Sequence, residues 1–225
     1  MKFKNILLTP FILVSPLFSN DEILLEKYLY TFTIPLLLII LIILIINHKM
    51  RNEISRRRKA EKELQNYANK DSLTQIFNRG KIDLLISDEI KKSKDKKQTF
   101  SIIFFDIDNF KRINDDFGHI KGDKVLVQVS YLVSKNIRDT DTIGRWGGEE
   151  FVILLPNTSS NKAFIIADDL KQLVSKTDFG INSALTISLG ITQYMQNDTK
   201  ECLIQRADKA MYFIKNNGKN AVKIL

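Results

Sequence analysis

The sequence predicts an α+β fold in which a ferredoxin-like βαββαβ core follows a transmembrane helix and a short signalling helix. Three observations lead to this prediction. Residues 29–46 carry no charge, strand and helix patterns alternate from residue 99 onwards, and Gly147 and Gly148 separate two strand-like runs at the centre of that order. The expected sheet is antiparallel and carries its helices on one face.

The N-terminal part of the chain is predicted to associate with a membrane. An apolar run over residues 6–18 follows Lys2 and Lys4, which is typical of either an uncleaved membrane segment or a secretory signal. Residues 1–28 would hold this segment and a short extracytoplasmic loop. Residues 29–47 would form the transmembrane helix, because eighteen residues at about 1.5 Å each span about 27 Å. A buried core helix is the alternative, but this run has no polar face.

Residues 48–70 form a basic segment that contains eight Lys or Arg against three Glu. The positive-inside rule makes this flank cytoplasmic, so we expect the chain in the inner (cytoplasmic) membrane with the following domain in the cytoplasm. Anionic lipid headgroups account for the basic charge, and we expect no nucleic-acid partner despite the net charge of +8. The segment is interpreted as a signalling helix that pairs with a second copy, with a solvated charged linker as the alternative. The lone Cys202 excludes a disulfide framework and a cysteine zinc site.

Residues 71–225 are predicted to form one domain. Its first helix, capped by Asp71 or Ser72, would end near Ser93 and carry an apolar stripe of Ile76, Leu84, Leu85 and Ile90. Residues 99–106 form a near-continuous apolar run that is typical of a central strand. The same periodicities predict the remaining elements, which are helices at 110–117, 122–137, 160–176 and 200–216 and strands at 142–146, 150–155, 184–192 and 221–224.

Acidic side chains are predicted to meet at one end of the sheet. The first strand ends in Asp106 and Asp108, and its neighbour in a split βαβ arrangement is the hairpin that carries Glu149 and Glu150. Asp106 and the two glutamates have no local counter-charge and need a cation, and oxygen ligands without His or Cys favour Mg²⁺ or Mn²⁺. The glycines of the turn expose backbone that a phosphate can approach. The alternatives are an ordinary hairpin and a solvated acidic strand end.

Five motifs, in order along the chain, resemble those of the GGDEF-domain diguanylate cyclases. They are DSLTQIFNR (71–79), DIDNFKRINDDFGHIKGD (106–123), RWGGEEF (145–151), TISLGIT (186–192) and ADKAMYFIKNNGKN (207–220). The resemblance covers residues 71–225 and implies a fold similar to nucleotide cyclases and polymerase palms. It implies condensation of two GTP molecules to cyclic di-GMP with release of two pyrophosphates, by a homodimer with two Mg²⁺ (or Mn²⁺) in each active site.

The resemblance also implies a role for individual residues. Asp106, Glu149 and Glu150 would be catalytic, and Asp106, the backbone carbonyl of Ile107 and Glu149 would hold the metal ions. Whether Glu150 supports the metal or deprotonates the 3′-hydroxyl stays open. Guanine would be read by Asn114 and Asp123, whose alternative role is helix capping. Phosphate would be bound by Lys111, Gly147, Gly148, Lys215 and Lys219, and at Lys219 the family usually has Arg, which can bind phosphate with two donors.

Arg138 and Asp141 form an RxxD motif that begins nine residues before Gly147. In this family, an RxxD at that spacing resembles the inhibitory site, where cyclic di-GMP binds as an allosteric ligand. An ion pair at a helix end is the alternative. His119 is expected to be structural. The rival functions are a catalytically silent receptor for GTP or cyclic di-GMP and a truncated membrane signalling remnant, but the intact acidic and guanine positions favour the enzyme.

Overall fold

The computed structural model describes residues 20–96 and 98–225. These residues divide into two compact units, with the boundary after residue 63. The predicted hydrophobic segment at residues 6–18 lies outside the described residues. Helix α1 (Asn20–Asn69) is continuous, so residues 20–28 are helical and do not form the predicted loop. The basic segment at 48–69 belongs to the same helix.

The apolar part of α1 has the properties of a membrane-spanning helix by length and composition. Its large hydrophobic side chains from Ile23 to Ile46 are all exposed, and none of the apolar window is buried within the described structure. Pro35 lies inside the helix without ending it. Farther along, Arg57 pairs with Glu53 one turn earlier at 3.1 Å, an exposed contact that contributes little stability.

The second unit is an α+β domain, which confirms the predicted fold class. Its sheet has five strands in the order β2-β3-β1-β4-β5, with β1 antiparallel to both neighbours. Strand β2 is antiparallel to β3, whereas β4 and β5 are parallel, so the prediction of an antiparallel sheet was right for β1 to β4 and wrong for the edge strand β5. The elements are α2 (Arg79–Lys96), β1 (Phe100–Ile107), α3 (Phe110–Phe117), α4 (His119–Lys135), β2 (Thr142–Arg145), β3 (Glu150–Pro156), α5 (Ser160–Lys176), β4 (Ile187–Gln193), α6 (Lys200–Asn216) and β5 (Val222–Ile224).

Helices cover both faces of the sheet, so the prediction of helices on one face was wrong. Every residue of β1 is buried, and successive side chains of a strand point to opposite faces. Phe105 belongs to the core that includes residues of α3, α4 and α5, whereas Phe104 belongs to a second core with residues of α2 and α6. A strand that is apolar on both faces needs cover on both, and the continuous apolar run already indicated this.

Helix α2 begins later than predicted because residues 71–78 form a turn. The Asp71 carboxylate accepts hydrogen bonds from the backbone N–H (2.9 Å) and hydroxyl (2.7 Å) of Thr74, which fixes the turn instead of starting a helix. The side chain of Asn78 then accepts from the N–H of Lys81 at 3.0 Å at the start of α2. Of the predicted apolar stripe, Ile90 lies on the buried face of the helix with Ile82 and Ile86. The rest of the stripe was wrong, because Leu84 is exposed, Leu85 is half-buried and Ile76 packs in the other core.

Helix α6 lies directly on strand β4. A Cβ at Gly190 of β4 would overlap the carbonyl oxygen of Ala207 and the backbone nitrogen of Met211. Only glycine allows this approach of two backbones. The close packing fixes the position of α6 against the sheet, and with it the position of Lys215 near its C-terminal end.

Candidate active site

The end of β1 brings together the acidic residues that the sequence predicted to converge. Asp106 is paired in the sheet register with Glu150 of β3 on one side and with Ser188 of β4 on the other. The backbone N–H of Ile107 donates to the carbonyl oxygen of Glu149 at 3.3 Å. The hairpin carboxylates therefore lie next to the end of the central strand, as the split βαβ order requires.

Asp106 is a buried carboxylate with one bonded oxygen and one without a partner. Its Oδ2 lies 2.9 Å from the ammonium of Lys215, and its Oδ1 is buried with no hydrogen bond among the described residues. Burial raises the pKa of Asp106 to about 7; the Lys215 ammonium opposes this shift, and the nearby charges of Glu149 and Glu150 add to it. Such a carboxylate gains from a cation on its free oxygen.

Glu149 and Lys215 belong to the same electrostatic cluster. Burial raises the pKa of Glu149, with Lys215 opposing the shift and Glu150 adding to it. Burial by itself would lower the pKa of Lys215, but the hydrogen bond to Asp106 and the acidic neighbours raise it above the ordinary value. Within the described part of the chain, no three side chains of His, Cys, Asp or Glu are arranged as a preformed metal cluster. We call this cluster the acidic corner: it consists of the carboxylates of Asp106, Glu149 and Glu150 and the ammonium of Lys215.

The structure gives one glycine of the hairpin turn a steric reason that the sequence did not predict. Neither Gly147 nor Gly148 has a positive φ. A Cβ at Gly147 would lie 2.7 Å from Oε2 of Glu150, whereas a Cβ at Gly148 would meet nothing within 4 Å. The backbone N–H groups of Trp146 and Gly147 both donate to the carbonyl oxygen of Glu150, at 2.8 and 3.3 Å. Gly147 therefore leaves room for the carboxylate of Glu150.

Arg145 is a site residue that the sequence analysis missed. Its guanidinium donates to the carbonyl oxygens of Gly147 (3.2 Å) and Gly148 (2.7 and 3.1 Å) and forms an ion pair with Asp71 at 3.0 Å. Its backbone N–H donates to the carbonyl oxygen of Phe77 at 2.8 Å. The turn at residues 71–78 and the hairpin are thereby joined through one side chain. The only signal in the sequence was an arginine next to an acidic loop, and this does not show which residue the arginine contacts.

Asp108, the second acidic residue at the end of β1, has a structural role. It is buried and accepts hydrogen bonds from the hydroxyls of Thr186 and Ser188, both at 2.7 Å, and from the backbone N–H of Asn220 at 3.0 Å. Its own backbone N–H donates to the carbonyl oxygen of Thr186 at 2.9 Å. Asp108 thus connects the end of β1 to β4 and to the segment before β5.

The predicted guanine-binding residues lie on adjacent helices. Asn114 is half-buried on α3, and Asp123 is exposed on α4. Gly122, the neighbour of Asp123, contacts Asn114 so closely that a Cβ there would overlap its Oδ1. No hydrogen bond among the described residues joins either side chain to the acidic corner. The structure therefore places Asn114 against the residue that precedes Asp123, and the role of the pair stays a prediction.

Two of the predicted phosphate-binding lysines contact the end of β1 and the loop that follows it. Lys215 contacts Asp106, Lys219 donates to the side chain of Asn109, and Lys111 is exposed in the first turn of α3. Asn109 has a left-handed backbone conformation (φ 57°) where the loop enters α3. Two ammonium groups at the end of β1 and its loop, with a third lysine on the helix that follows, favour a polyanionic ligand.

The RxxD motif forms a bidentate ion pair. Nε and Nη2 of Arg138 donate to the two carboxylate oxygens of Asp141 at 2.9 and 2.7 Å, and Nη2 also donates to the hydroxyl of Thr158 at 2.7 Å. The side chain of Asp141 is fully buried, whereas that of Arg138 is 51% exposed. The predicted alternative of an ion pair thus describes the contact present, and product binding stays a prediction. His119, the first residue of α4, is exposed.

Comparisons with known proteins agree with one another. A family model described as "Diguanylate cyclase, GGDEF domain" matches residues 68–221. Diguanylate cyclase A of Treponema denticola is 40% identical over 139 residues, which are 60% of this chain and 38% of that protein. Diguanylate cyclase DgcM of Escherichia coli is 33% identical over 171 residues, which are 76% of this chain and 42% of that protein. This chain therefore spans about 40% of the length of these relatives.

Solved structures show the same fold. The active GGEEF domain of a diguanylate cyclase from Vibrio cholerae is 37% identical with a TM-score of 0.62, over 65% of this chain and 96% of that one. The GGDEF domain of DgcB from Caulobacter crescentus, solved in complex with c-di-GMP, is 27% identical with a TM-score of 0.67, over 70% of this chain and 93% of that one. The match of the family model to most of the chain shows that this protein belongs to the GGDEF-domain diguanylate cyclase family.

Proposed function

We propose that this chain is a diguanylate cyclase that joins two GTP molecules into cyclic di-GMP and releases two pyrophosphates. The observation that carries the proposal is the acidic corner formed by Asp106, Glu149 and Lys215 in a domain of this family. Closing the ring requires two attacks, each by the 3′-oxygen of one GTP on the α-phosphorus of the other. Two copies of the chain, each holding one GTP, would therefore face each other as a homodimer.

The acidic corner fits a hard divalent cation. One oxygen of Asp106 is buried without a partner, and the neighbouring carboxylates supply oxygen ligands of the kind that Mg²⁺ and Mn²⁺ prefer. We propose that Asp106, the backbone carbonyl of Ile107 and Glu149 hold two such ions in each active site. When bound, the ions would stabilise negative charge on the reacting oxygens and on the pyrophosphate.

The residues around the corner would position the triphosphate. Lys111, Lys215 and Lys219 would bind its oxygens, and the backbone of Gly147 and Gly148 would approach it from the hairpin. Lysine at position 219 keeps the positive charge that the family's arginine provides but lacks the two-donor fork, so it would bind phosphate less rigidly. Holding two reactants in line accounts for a large part of the rate enhancement of such reactions.

Two further proposed roles concern recognition of guanine and removal of the proton of the 3′-hydroxyl. Asn114 and Asp123 would read guanine, because an amide and a carboxylate together match its acceptor and donor edge and leave adenine mismatched. Glu150 faces Asp106 across the sheet register, and its carboxylate occupies the space that Gly147 leaves open. From there it would support the metal site or accept the proton of the 3′-hydroxyl.

We further propose that α1 anchors the enzyme in the inner (cytoplasmic) membrane with residues 64–225 in the cytoplasm. The exposed apolar side chains over residues 23–46 and the basic run that follows them support this topology. The charged part of α1 would pair with its copy in the dimer. A chain that sodium carbonate extracts from membranes would contradict the anchoring without affecting the proposed reaction.

The cyclase activity can be tested on the full chain purified in detergent. Incubated with GTP and Mg²⁺, it is expected to form cyclic di-GMP, measured by chromatography. Glu149→Ala should abolish the product, whereas Glu201→Ala, a change at an exposed glutamate at the start of α6, should leave it. If the unchanged chain forms no product at high protein concentration, it is not a cyclase and the receptor function takes its place. Full activity of Glu149→Ala would refute the metal assignment.

A further inference from the structure

The ammonium of Lys215 is bonded to one oxygen of the Asp106 carboxylate, which the proposed function assigns to a metal ion. We propose that Lys215 competes with the metal for Asp106 in the ligand-free chain and transfers to the phosphates only when metal and nucleotide bind together. Lys215 would then make the site bind its metal with GTP and reject the metal alone. The inference rests on the proposed function for its choice of nucleotide, but the competition at Asp106 can be measured without any turnover.

The contact between the two residues is short and shielded. Nζ of Lys215 lies 2.9 Å from Oδ2 of Asp106, and their side chains are 29% and 3% exposed. A hydrogen bond between charged partners in such a setting contributes more than an exposed one, because water does not replace it readily. A metal ion that arrives alone must therefore displace the ammonium or lie beside it.

Charge explains why the nucleotide changes this balance. The corner holds the carboxylates of Asp106, Glu149 and Glu150 around one ammonium. A divalent ion beside that ammonium meets a like charge at short range, which weakens its binding. A triphosphate brings several negative charges, so it can accept the ammonium and free Asp106 for the metal. Metal and nucleotide would therefore bind cooperatively, with Lys215 as the coupling residue.

Lys219 supplies a matched control. It is also predicted to bind phosphate, but its ammonium donates to the amide oxygen of Asn109 and not to a carboxylate. Lys219→Met removes the same charge as Lys215→Met without freeing Asp106. An effect of net charge alone would change the Mn²⁺ affinity of both variants, whereas release of the Asp106 carboxylate would change it only in Lys215→Met.

The test uses the full chain in detergent and titrates Mn²⁺ without nucleotide, with free Mn²⁺ counted by electron paramagnetic resonance. Lys215→Met is expected to bind Mn²⁺ about tenfold more tightly than the unchanged chain, a factor set by loss of one charged hydrogen bond. Lys219→Met should change this affinity by about twofold or less. With Mn²⁺ present, Lys215→Met should bind α,β-methylene GTP more weakly than the unchanged chain. Lys215→Gln, which keeps a hydrogen-bond donor, gives a second variant with the same expected direction if Lys215→Met does not fold.

Mn²⁺ affinity that is unchanged or weaker in the folded Lys215 variant would overturn the competition, even if the enzyme makes cyclic di-GMP. The same holds if Lys219→Met tightens Mn²⁺ binding equally, because the effect would then be one of net charge. Conversely, tighter Mn²⁺ binding in a chain that forms no cyclic di-GMP would leave the competition standing and refute the proposed reaction. The two proposals therefore fail separately.

Discussion

Arg145 closes the loop of the central hairpin, and its replacement tests whether that loop must be rigid for catalysis. In Arg145→Ala the carbonyl oxygens of Gly147 and Gly148 lose their donors, and Asp71 loses its ion pair. Glu149 lies in the same loop, directly after the two carbonyls. The change should therefore affect both the stability of the domain and the geometry of the acidic corner.

The expected losses in stability and turnover follow from these contacts. The side chains of Arg145 and Asp71 are 17% and 21% exposed, so the ion pair is partly shielded, whereas Gly148 is exposed and its carbonyl can bond to water. Hydrogen bonds to charged groups contribute about 1.5–3 kcal/mol each, and with that discount we expect a loss of about 2–4 kcal/mol in the free energy of unfolding. A shift of about 1 Å in a catalytic group costs about 100-fold in rate, and we expect kcat to fall by this order.

The assay combines chemical unfolding of the detergent-solubilised chain with steady-state formation of cyclic di-GMP. Asp71→Asn removes the charge pair but leaves the hairpin contacts, so its effects should be smaller. Arg112→Ala is the control, because that side chain is 71% exposed and lies 3.6 Å from Asp116; its effect on stability should be about 0.5 kcal/mol or less. If Arg145→Ala retains full turnover, catalysis does not require the loop to be held by the contacts of Arg145, contrary to our prediction.

Three other predictions address separate parts of the site. Gly147→Ala should displace the Glu150 carboxylate and lower turnover by about tenfold or more, with little change in thermal stability. Gly148→Ala should lower turnover less, and equal losses of turnover in the two variants would contradict this prediction. Because burial raises the pKa of Asp106 to about 7, this carboxyl keeps a proton in the folded, metal-free chain that it releases in the unfolded chain, so its contribution to stability should fall as pH rises from about 4 to 7. The thermal stability of the unchanged chain should therefore fall relative to that of Asp106→Asn over this range, and a difference that stays constant or changes in the other direction would contradict the raised pKa. Arg138→Ala should raise the concentration of added cyclic di-GMP needed for half-inhibition, and an unchanged value would place the product site elsewhere.

The sequence predicted the parts of the fold that depend on local pattern. The apolar run of β1 and the glycine turn identified the central strand and the hairpin, and the split βαβ order then placed Asp106 beside Glu149 and Glu150. Hydrophobic periodicity also located α3 to α6 to within a few residues. These elements are encoded by neighbours in sequence, so a pattern of a few residues is sufficient to find them.

What the sequence did not predict depends on contacts between distant residues. The ion pair of Arg145 with Asp71 joins residues 74 positions apart, and no periodicity indicates such a partner. The contact of Lys215 with Asp106 likewise depends on how α6 packs on β4 at Gly190. The start of α2 was predicted too early for a related reason. The carboxylate of Asp71 can cap a helix, but here it accepts hydrogen bonds within a turn.

Two of the cations that are predicted to bind nucleotide phosphates, Lys215 and Arg138, are paired with a carboxylate, but the pairs have opposite consequences for ligand binding. The ammonium of Lys215 is bonded to Oδ2 of Asp106, and in the proposed competition it leaves that contact when metal and phosphate bind together. Arg138 uses Nε and Nη2 for Asp141 and Thr158, while its Nη1 has no hydrogen bond among the described residues and half of the side chain is exposed.

A product phosphate could therefore bind Arg138 without breaking its ion pair, and the buried Asp141 would hold the guanidinium in place for it. Opening that pair would leave a carboxylate buried without its cation, which is costly. Asp141→Asn should accordingly weaken inhibition by cyclic di-GMP although the arginine is still present, because the guanidinium loses the charge that orients it. If Asp141→Asn is inhibited as strongly as the unchanged chain while Arg138→Ala is not, the arginine binds product without this support. In that case Arg138 belongs to the inhibitory site and its ion pair with Asp141 has only a structural role.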